Sequence, residues 1–203
     1  MALFDSIKNQ VTSQLRREAS KAVKNAVQGA SQTIAKGRNH TESFTFASLP
    51  TSVAELEALP EASLDSAFKT AAICIAALCN LEKDVNSTWE MLDYLKGPES
   101  VSEREKSFIK ERLARKQYKT FSFFKGATPD NGYTPDTPYT IIVSENPYSF
   151  DEENWATLYV TSGGADAPRP IKLRRKPSTN QWFVNEIQCL SDIRIPTEQD
   201  PWA

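Results

Sequence analysis

The segment that decides the fold reads LYVTSGGADAPRPIKLRRKPSTNQWFVNEI and spans residues 158–187. It contains three strand-like runs, separated by a glycine-rich loop at 162–169 and by a Pro-Ser-Thr-Asn turn at 177–180. Glycine and proline clusters of this kind end one strand and begin the next. The segment therefore predicts neighbouring antiparallel strands.

Alternation along the chain indicates which side chains share a face of this sheet. Every second residue of a strand points to the same side. One face of the run at 155–161 is predicted to hold Ala156, Leu158 and Val160. In the last run, Val184 and Glu186 are predicted to share a face and Ile187 to lie on the other. Both faces of that strand carry apolar residues. One face is expected to pack on the helices, and the other to be covered by a loop, the N-terminal arm or a second subunit.

Upstream of the strands, residues 64–116 predict three helices. The run from Phe68 to Leu81 is apolar on nearly all sides, which is typical of a central buried helix. A second helix is predicted from Asn86 to Lys96, because Gly97-Pro98 follows it as a stop signal. Ser102 and Glu105 have the spacing of a capping box and predict the start of a third helix.

Helices first and strands afterwards predict an α+β domain with the helices packed on one face of a curved antiparallel sheet. The nearest analogy in shape is the cone-like fold of the nuclear-transport-factor type, an analogy at the level of the fold alone. Between helices and strands, residues 125–138 hold several prolines and glycines and predict a long ordered loop. Such a loop forms the rim of a pocket or wraps the edge of the sheet.

The N-terminal segment 1–38 predicts a long basic amphipathic helix. It holds seven lysines and arginines against two acidic residues, whereas the rest of the chain holds 17 basic and 24 acidic residues. Its apolar residues recur at steps of three and four. The strongest part of this stripe, and the predicted membrane or partner contact, is Leu3, Phe4, Ile7, Val11 and Leu15. The helix is expected to lie on an anionic membrane surface, to pack on its own domain or to self-associate.

Residues 39–63 are predicted to be a linker with local order at most, and residues 64–203 to be the folded domain. Phe44 to Phe46 alternate like a short strand, and Ser52 with Glu55 predicts one short helix. His40 is the only histidine of the chain and lies in this linker without neighbours that could share a metal ion.

Composition favours a soluble protein of the cytoplasm, with peripheral attachment to the inner membrane face as the exception. The longest apolar run, Ala71 to Cys79, is too short to cross a bilayer, and no secretory signal is found at the start. An odd number of cysteines, Cys74, Cys79 and Cys189, predicts buried free thiols in a reducing compartment. No metal site and no cofactor are expected.

No phosphate-binding glycine loop, nucleophile elbow or metal-ligand spacing occurs in the sequence. A single histidine makes a catalytic triad improbable, which leaves carboxylate, arginine or tyrosine chemistry. The predicted ligand-binding residues are Asp166, Arg169, Glu186, Tyr133 and Arg194. An ion pair or turn cap that fixes the glycine loop is the other interpretation of Asp166 and Arg169. Glu186 stands among apolar residues, where burial would suit acid–base use, or at a strand end in water.

The basic cluster Lys172, Arg174, Arg175 and Lys176 lies close to Trp182 in the sequence. Within an acidic body, this cluster favours a solvated strand edge over a nucleic-acid patch, so nucleic acid is not an expected partner. Trp202 is expected to anchor the C-terminal tail on the body.

Several unusual strings occur in a fixed order over residues 44–203, among them GATPDNGYTP at 126–135, VSENPYS at 143–149 and SGGADAPRP at 162–170. SDIRIP at 191–196 and DPWA at 200–203 follow. With these strings the chain resembles an uncharacterised bacterial family, a domain of unknown function. The resemblance implies no activity and no catalytic residues.

Two hypotheses follow. The first is a non-enzymatic binding or interaction module, brought to a membrane or a partner by the basic helix; a homo-oligomer fits this hypothesis. The second is a small-ligand-binding protein or an enzyme with a carboxylate and arginine pocket between sheet and helices, rimmed by residues 125–138 and 163–169.

Overall fold

The computed structural model describes residues 39–202. The predicted helix at 1–38, with its contact residues Leu3, Phe4, Ile7, Val11 and Leu15, lies outside the described residues.

A five-stranded antiparallel sheet forms one layer of the fold. Its strands are β1 (Thr41–Phe46), β2 (Tyr139–Ser144), β3 (Trp155–Val160), β4 (Arg169–Lys176) and β5 (Gln181–Ile187). They are hydrogen-bonded in the order of the sequence, and within residues 39–202 all helices that are longer than three residues intervene between β1 and β2. The predicted α+β class, with an antiparallel sheet, is confirmed.

Five α-helices connect β1 to β2. They are α1 (Val53–Glu57), α2 (Ala67–Leu78), α3 (Val85–Lys96), α4 (Glu103–Leu113) and α5 (Tyr118–Phe121). Short 3₁₀ turns add Pro60–Ser63, Pro129–Asn131 and Thr197–Gln199. Gly97 follows α3, and Ser102 and Glu105 form the predicted capping box of α4. These caps are local signals, and the end of α3 and the start of α4 that they predict are confirmed.

The central helix α2 packs on the sheet and contacts all five strands. Its residues from Ala71 to Leu78 are fully buried. Four alanines in this stretch leave little side chain between helix and sheet, so the two layers approach closely. The strand residues that meet α2 are buried as well, and they include Ile141, Val143, Ala156, Leu158, Val160, Ile171 and Leu173. The predicted inner face of β3 is confirmed.

A β-bulge in β5 changes the predicted faces of that strand. Lys172 lies opposite Glu186 and Leu173 lies opposite Val184, so Asn185 is the extra residue. Because of this extra residue, each side chain after the bulge points to the face opposite to the one that strict alternation along β5 predicts. Ile187 therefore lies opposite the buried Ile171 on the inner face, and Glu186 lies on the outer face. The prediction that Val184 and Glu186 share a face was wrong, because strict alternation does not anticipate an inserted residue.

The prediction of a linker at 39–63 is corrected. Thr41–Phe46 pairs in unbroken register with Tyr139–Ser144, and Phe46 is buried. Ser52 caps α1, whose Leu56 is also buried. The compact unit accordingly begins at Asn39. The linker prediction failed because the partner of β1 lies far away in the sequence.

The proline-rich loop at 125–138 borders β2. The amide of Lys125 donates to the carbonyl of Thr140 (2.8 Å), and Phe124 forms an isolated bridge with Ile141. The loop thus wraps the part of β2 that β3 does not reach, which was one of the two interpretations offered for it.

Candidate ligand-binding surfaces

Four of the five residues predicted to bind a ligand come together in one place, which we name the loop clasp (residues 126–136, 162–169 and 192–200). Its centre is Arg194. The Tyr133 hydroxyl donates to the carbonyl of Arg194 (2.7 Å), and the amide of Arg194 donates to the carbonyl of Gly164 (2.9 Å). The guanidinium of Arg194 forms an ion pair with Asp166. Three distant segments are thereby tied to one another.

Two glycines allow the segments of the clasp to approach. A Cβ added to Gly163 would overlap the carbonyl oxygen of Ala127, and one added to Gly164 would overlap the Tyr133 hydroxyl. The amide of Gly163 donates to the carbonyl of Ser122 (2.8 Å). Glycine is therefore required at positions 163 and 164 because neither has room for a side chain.

Tyr133 is a structural member of the clasp. It is buried and stacks on Tyr118, with 5.4 Å between ring centroids. Burial, together with the neighbouring Tyr118, raises the pKa of its phenol to about 12. The phenol is therefore protonated at neutral pH and available as a hydrogen-bond donor, the role that it has toward Arg194.

Arg169 closes the other side of the clasp, where its Nη2 donates to the carbonyl of Asp192 (2.7 Å). The Nε of Arg169 is buried and has no partner within residues 39–202. Thr197 donates to Asp130 (2.7 Å) across an open depression of about 660 Å³. Since most polar groups here bond to one another, the geometry favours a structural role. Ligand binding by Tyr133, Asp166, Arg169 and Arg194 stays a prediction.

Glu186 does not join the clasp. It is exposed on the outer face of β5, opposite Lys172, and accepts a hydrogen bond from Gln188 Nε2 (2.6 Å). Of the two environments considered for Glu186, the structure places it in water. The expected anchoring of Trp202 is also corrected, because its side chain is 93% exposed.

A second surface, the Phe183 cleft, lies between the end of α3 and the strands β4 and β5. Its volume is about 270 Å³. The cleft is lined by Lys96, Pro98, Glu99, Arg174, Arg175, Lys176, Pro177, Phe183, Val184 and Asn185.

The end of α3 forms one wall of the Phe183 cleft. Gly97 has φ +67° and passes directly over the ring of Phe183, where a Cβ would overlap the ring. The preceding Lys96 is buried and ion-pairs with Glu105, and its Nζ also donates to the carbonyl of Asn185 (3.2 Å). These contacts hold the turn after α3 against β5, so the cleft is built on rigid elements.

The opposite wall of the cleft is cationic. Arg174 is 57% exposed, and its Nη1 lies 3.7 Å from Oε1 of Glu99, which is 68% exposed. An exposed pair at this distance contributes little. The guanidinium also lies over the ring of Trp155, 5.1 Å from its centroid, so an anion that binds Arg174 shares it with Glu99 and Trp155. Arg175 donates to Asn180 Oδ1 (2.7 Å), and Lys176 is exposed beside it. Arg174 and Lys176 lie on the same face of the sheet as Phe183, whereas Arg175 lies opposite Trp182 on the other face.

Sequence reasoning found these cations but not the cleft. It interpreted the basic cluster as a solvated strand edge, although Phe183 and the Gly97-Pro98 turn were both visible in the sequence. The missing information is the contact between Gly97 and Phe183, which lie far apart in the chain. No local pattern reports that contact.

Other chemistry is limited in the part of the chain that the structure describes. No group of three or more histidine, cysteine or acidic residues is placed to hold a metal ion within residues 39–202. The three thiols are free and buried as predicted, and burial raises the pKa of Cys74 and of Cys79 to about 12. Within the same residues, no helix has the length and apolarity needed to cross a membrane.

Together, the fold and these surfaces define an α+β domain that carries a surface cleft and a loop clasp. The chain belongs to a family described as a domain of unknown function (DUF6935), whose model matches residues 48–197. Both surfaces lie almost entirely within the matched region. No curated protein and no solved structure matches the chain.

Proposed function

We propose that this domain is a non-enzymatic binding module, and that the Phe183 cleft binds a ligand in which an anionic group is joined to a flat apolar group. The observation that carries the proposal is that Arg174 lies directly opposite Phe183 in the pairing of β4 with β5, with the exposed Lys176 in the same lining. Arginine recognises phosphate and carboxylate through paired N–H groups, and an aromatic wall favours a planar apolar group.

The charged groups of the cleft support binding rather than catalysis. Arginine stays protonated at any physiological pH and is a poor proton donor. Glu99 is the single acidic residue in the lining, and its partner is Arg174. Such a set of residues suits recognition of charge and shape.

Calorimetric titration of the full chain with phenyl phosphate tests this function. We expect phenyl phosphate to bind more tightly than either inorganic phosphate or benzyl alcohol, and its affinity to fall as salt is added. Arg174→Gln should weaken binding about tenfold, because a hydrogen bond to a charged group contributes roughly 1.5 kcal/mol. Arg112→Gln removes an equal charge from α4 and should leave the affinity unchanged. Equal loss in both variants, or equal binding of all three compounds, would contradict the proposal.

A second candidate function is attachment to an anionic membrane through residues 1–38. The net positive charge of this segment and its apolar stripe from Leu3 to Leu15 support it. It implies a cytoplasmic protein at the inner membrane face. Flotation with liposomes that contain anionic lipid should recover the full chain and not a variant lacking residues 1–38. Equal recovery of the two would contradict membrane attachment and leave the cleft proposal intact.

The alternative of an enzyme or receptor with a pocket between sheet and helices depends on Asp166, Arg169, Glu186, Tyr133 and Arg194. It is the weaker proposal, because four of these residues bond within the clasp and Glu186 is exposed on the outer face. The cone-like curvature of the sheet and the long helix before it likewise stay predictions.

A further inference from the structure

The two edge strands of the sheet, β5 and β1, differ in whether their outward backbone groups have hydrogen-bond partners. At the β5 edge, the amide of Trp182 donates to the carbonyl of Leu64 (2.7 Å), and its carbonyl accepts from the Thr70 hydroxyl (3.0 Å). The carbonyl of Asn185, at the bulge, accepts from Lys96 Nζ (3.2 Å). The helical layer therefore supplies partners to the backbone of β5.

At the β1 edge the backbone is open. Glu145 donates to the carbonyl of His40 (2.9 Å), so the even-numbered residues of β1 face β2, because hydrogen-bonded pairs alternate along an antiparallel ladder. The odd-numbered residues Thr41, Ser43 and Thr45 consequently direct their N–H and C=O groups away from the sheet. Within residues 39–202, these groups have no hydrogen-bond partner.

Strand β1 carries only one of the usual devices that prevent pairing between edges, the charged Glu42 on its partly buried inner face. Exposed edge strands are commonly protected by proline, lysine or a bulge. Thr41–Phe46 contains no proline and no lysine, and its register with β2 is unbroken. Its outward side chains, Thr41, Ser43 and Thr45, are small and exposed. The edge is therefore regular and accessible in the described part of the chain.

We propose that the β1 edge pairs with the β1 edge of a second copy of this chain, antiparallel and with Ser43 opposite Ser43 of the other copy. In this register Thr41 lies opposite Thr45, and Glu42 lies opposite Phe44. No two like charges lie directly opposite each other, and the two Glu42 side chains are diagonal neighbours on the inner face. Every open N–H of Thr41, Ser43 and Thr45 meets an open carbonyl. The exposed face then pairs hydroxyl side chains only, Thr41 with Thr45 and Ser43 with Ser43, which fits a second copy as the partner, and the two sheets become one continuous sheet.

One pair of short edge strands buries less than the roughly 1,200–2,000 Å² of a stable interface. The dimer is therefore weak, and its population rises with protein concentration. The Phe183 cleft lies at β4 and β5, near the opposite edge of the sheet, so this inference does not depend on it.

Sedimentation velocity of the full chain over a range of concentrations measures this dimer. Ser43→Lys and Ser43→Glu each place two like charges at the two-fold axis, so each variant alone should be monomeric. An equimolar mixture of the two should dimerise again, because lysine then meets glutamate. Ser43→Thr keeps a small hydroxyl side chain and should behave like the unchanged chain. All variants change one exposed side chain, and circular dichroism verifies that they fold.

A chain that is monomeric at every concentration would overturn the proposal and leave the β1 edge to an extended segment of another protein. Dimers that persist equally in Ser43→Lys and Ser43→Glu would also overturn it, since they would require another surface. Failure of the mixture to recover dimers would reject the register centred on Ser43.

Discussion

At Gly97 the chain leaves α3 with φ +67° and crosses the ring of Phe183 without room for a Cβ. Gly97→Ala therefore combines an unfavourable backbone conformation with an overlap in a packed contact. The first costs about 1–2 kcal/mol and the second about 1–3 kcal/mol. We expect the free energy of unfolding to fall by about 2–4 kcal/mol, measured by urea denaturation.

Gly132 is a partial control for that substitution. Its φ of +61° is similar, but its ψ of 25° lies in the left-handed helical region, whereas the ψ of Gly97 is −114°. An added Cβ at Gly132 would meet no atom within 4 Å. Gly132→Ala should cost only the backbone contribution of about 1 kcal/mol. Equal losses in the two variants would show that Gly97 does not pack on Phe183 in solution.

Glu99 competes with any anion for Arg174, because its Oε1 lies 3.7 Å from Nη1. Glu99→Gln removes this competitor and leaves the shape of the cleft unchanged. Exposed pairs contribute about 0.2–1 kcal/mol, so the affinity for phenyl phosphate should rise about two- to fivefold. Calorimetry measures the change. Unchanged or weaker binding would indicate that the ligand does not meet Arg174.

Among the elements, β1 and α1 are the ones that sequence patterns placed in a linker outside the folded domain. Phe46 is buried at the end of β1, whereas its neighbour Thr45 is exposed on the outer face. Phe46→Ala should lower the free energy of unfolding by about 3–5 kcal/mol, and Thr45→Ala by less than about 0.5 kcal/mol. If both changes are small in chemical denaturation, residues 39–63 form a linker after all.

The start of α4 is coupled to the end of α3 through Glu105. Burial tends to raise the pKa of this carboxyl, but hydrogen bonds from Lys96 and Ser102 outweigh burial and hold the pKa below its ordinary value of 4.5. A carboxylate with a depressed pKa stabilises the fold above its unfolded-state pKa. That stability is lost as the pH falls through the lower folded-state pKa.

Glu105→Gln should therefore destabilise the domain by about 1–2 kcal/mol at neutral pH, since it removes a hydrogen-bonded charge from both Lys96 and the capping box. The difference from the unchanged chain should shrink as the pH drops below 4.5. Denaturation at a series of pH values measures it. Glu111→Gln, an exposed change on the same helix, should have little effect at any pH. A pH-independent loss in Glu105→Gln would contradict the ion pair.

The elements that the sequence predicted well are those with local signals. The buried run at Phe68–Leu81 and the Ser102–Glu105 box each lie within one helix, so their caps and periods can be recognised without the fold. The pairing of β1 with β2 and the bulge at Asn185 depend on distant partners. Strand alternation alone carries no information about either.

For the whole molecule, the two candidate surfaces differ in the same way: one was visible in local sequence signals, and the other depends on contacts between distant residues. The loop clasp was predicted in part, because Tyr133, Asp166 and Arg194 stand in unusual loops, but the structure shows that they bond mainly to one another. The Phe183 cleft was not predicted. Its cations come from β4 and its far wall from the turn after α3, and only the fold brings these together.

The Phe183 cleft, rather than the loop clasp, is the binding site that we propose for this domain. The most direct test is a titration of the ¹⁵N-labelled full chain with phenyl phosphate, followed by two-dimensional NMR. We predict that amide shifts change at Gly97, at 174–176 and at 183–185, saturate together, and need about tenfold more phenyl phosphate to saturate in Arg174→Gln. Shifts that instead centre on Tyr133, Asp166 and Arg194, or the absence of any saturable shift, would contradict the account.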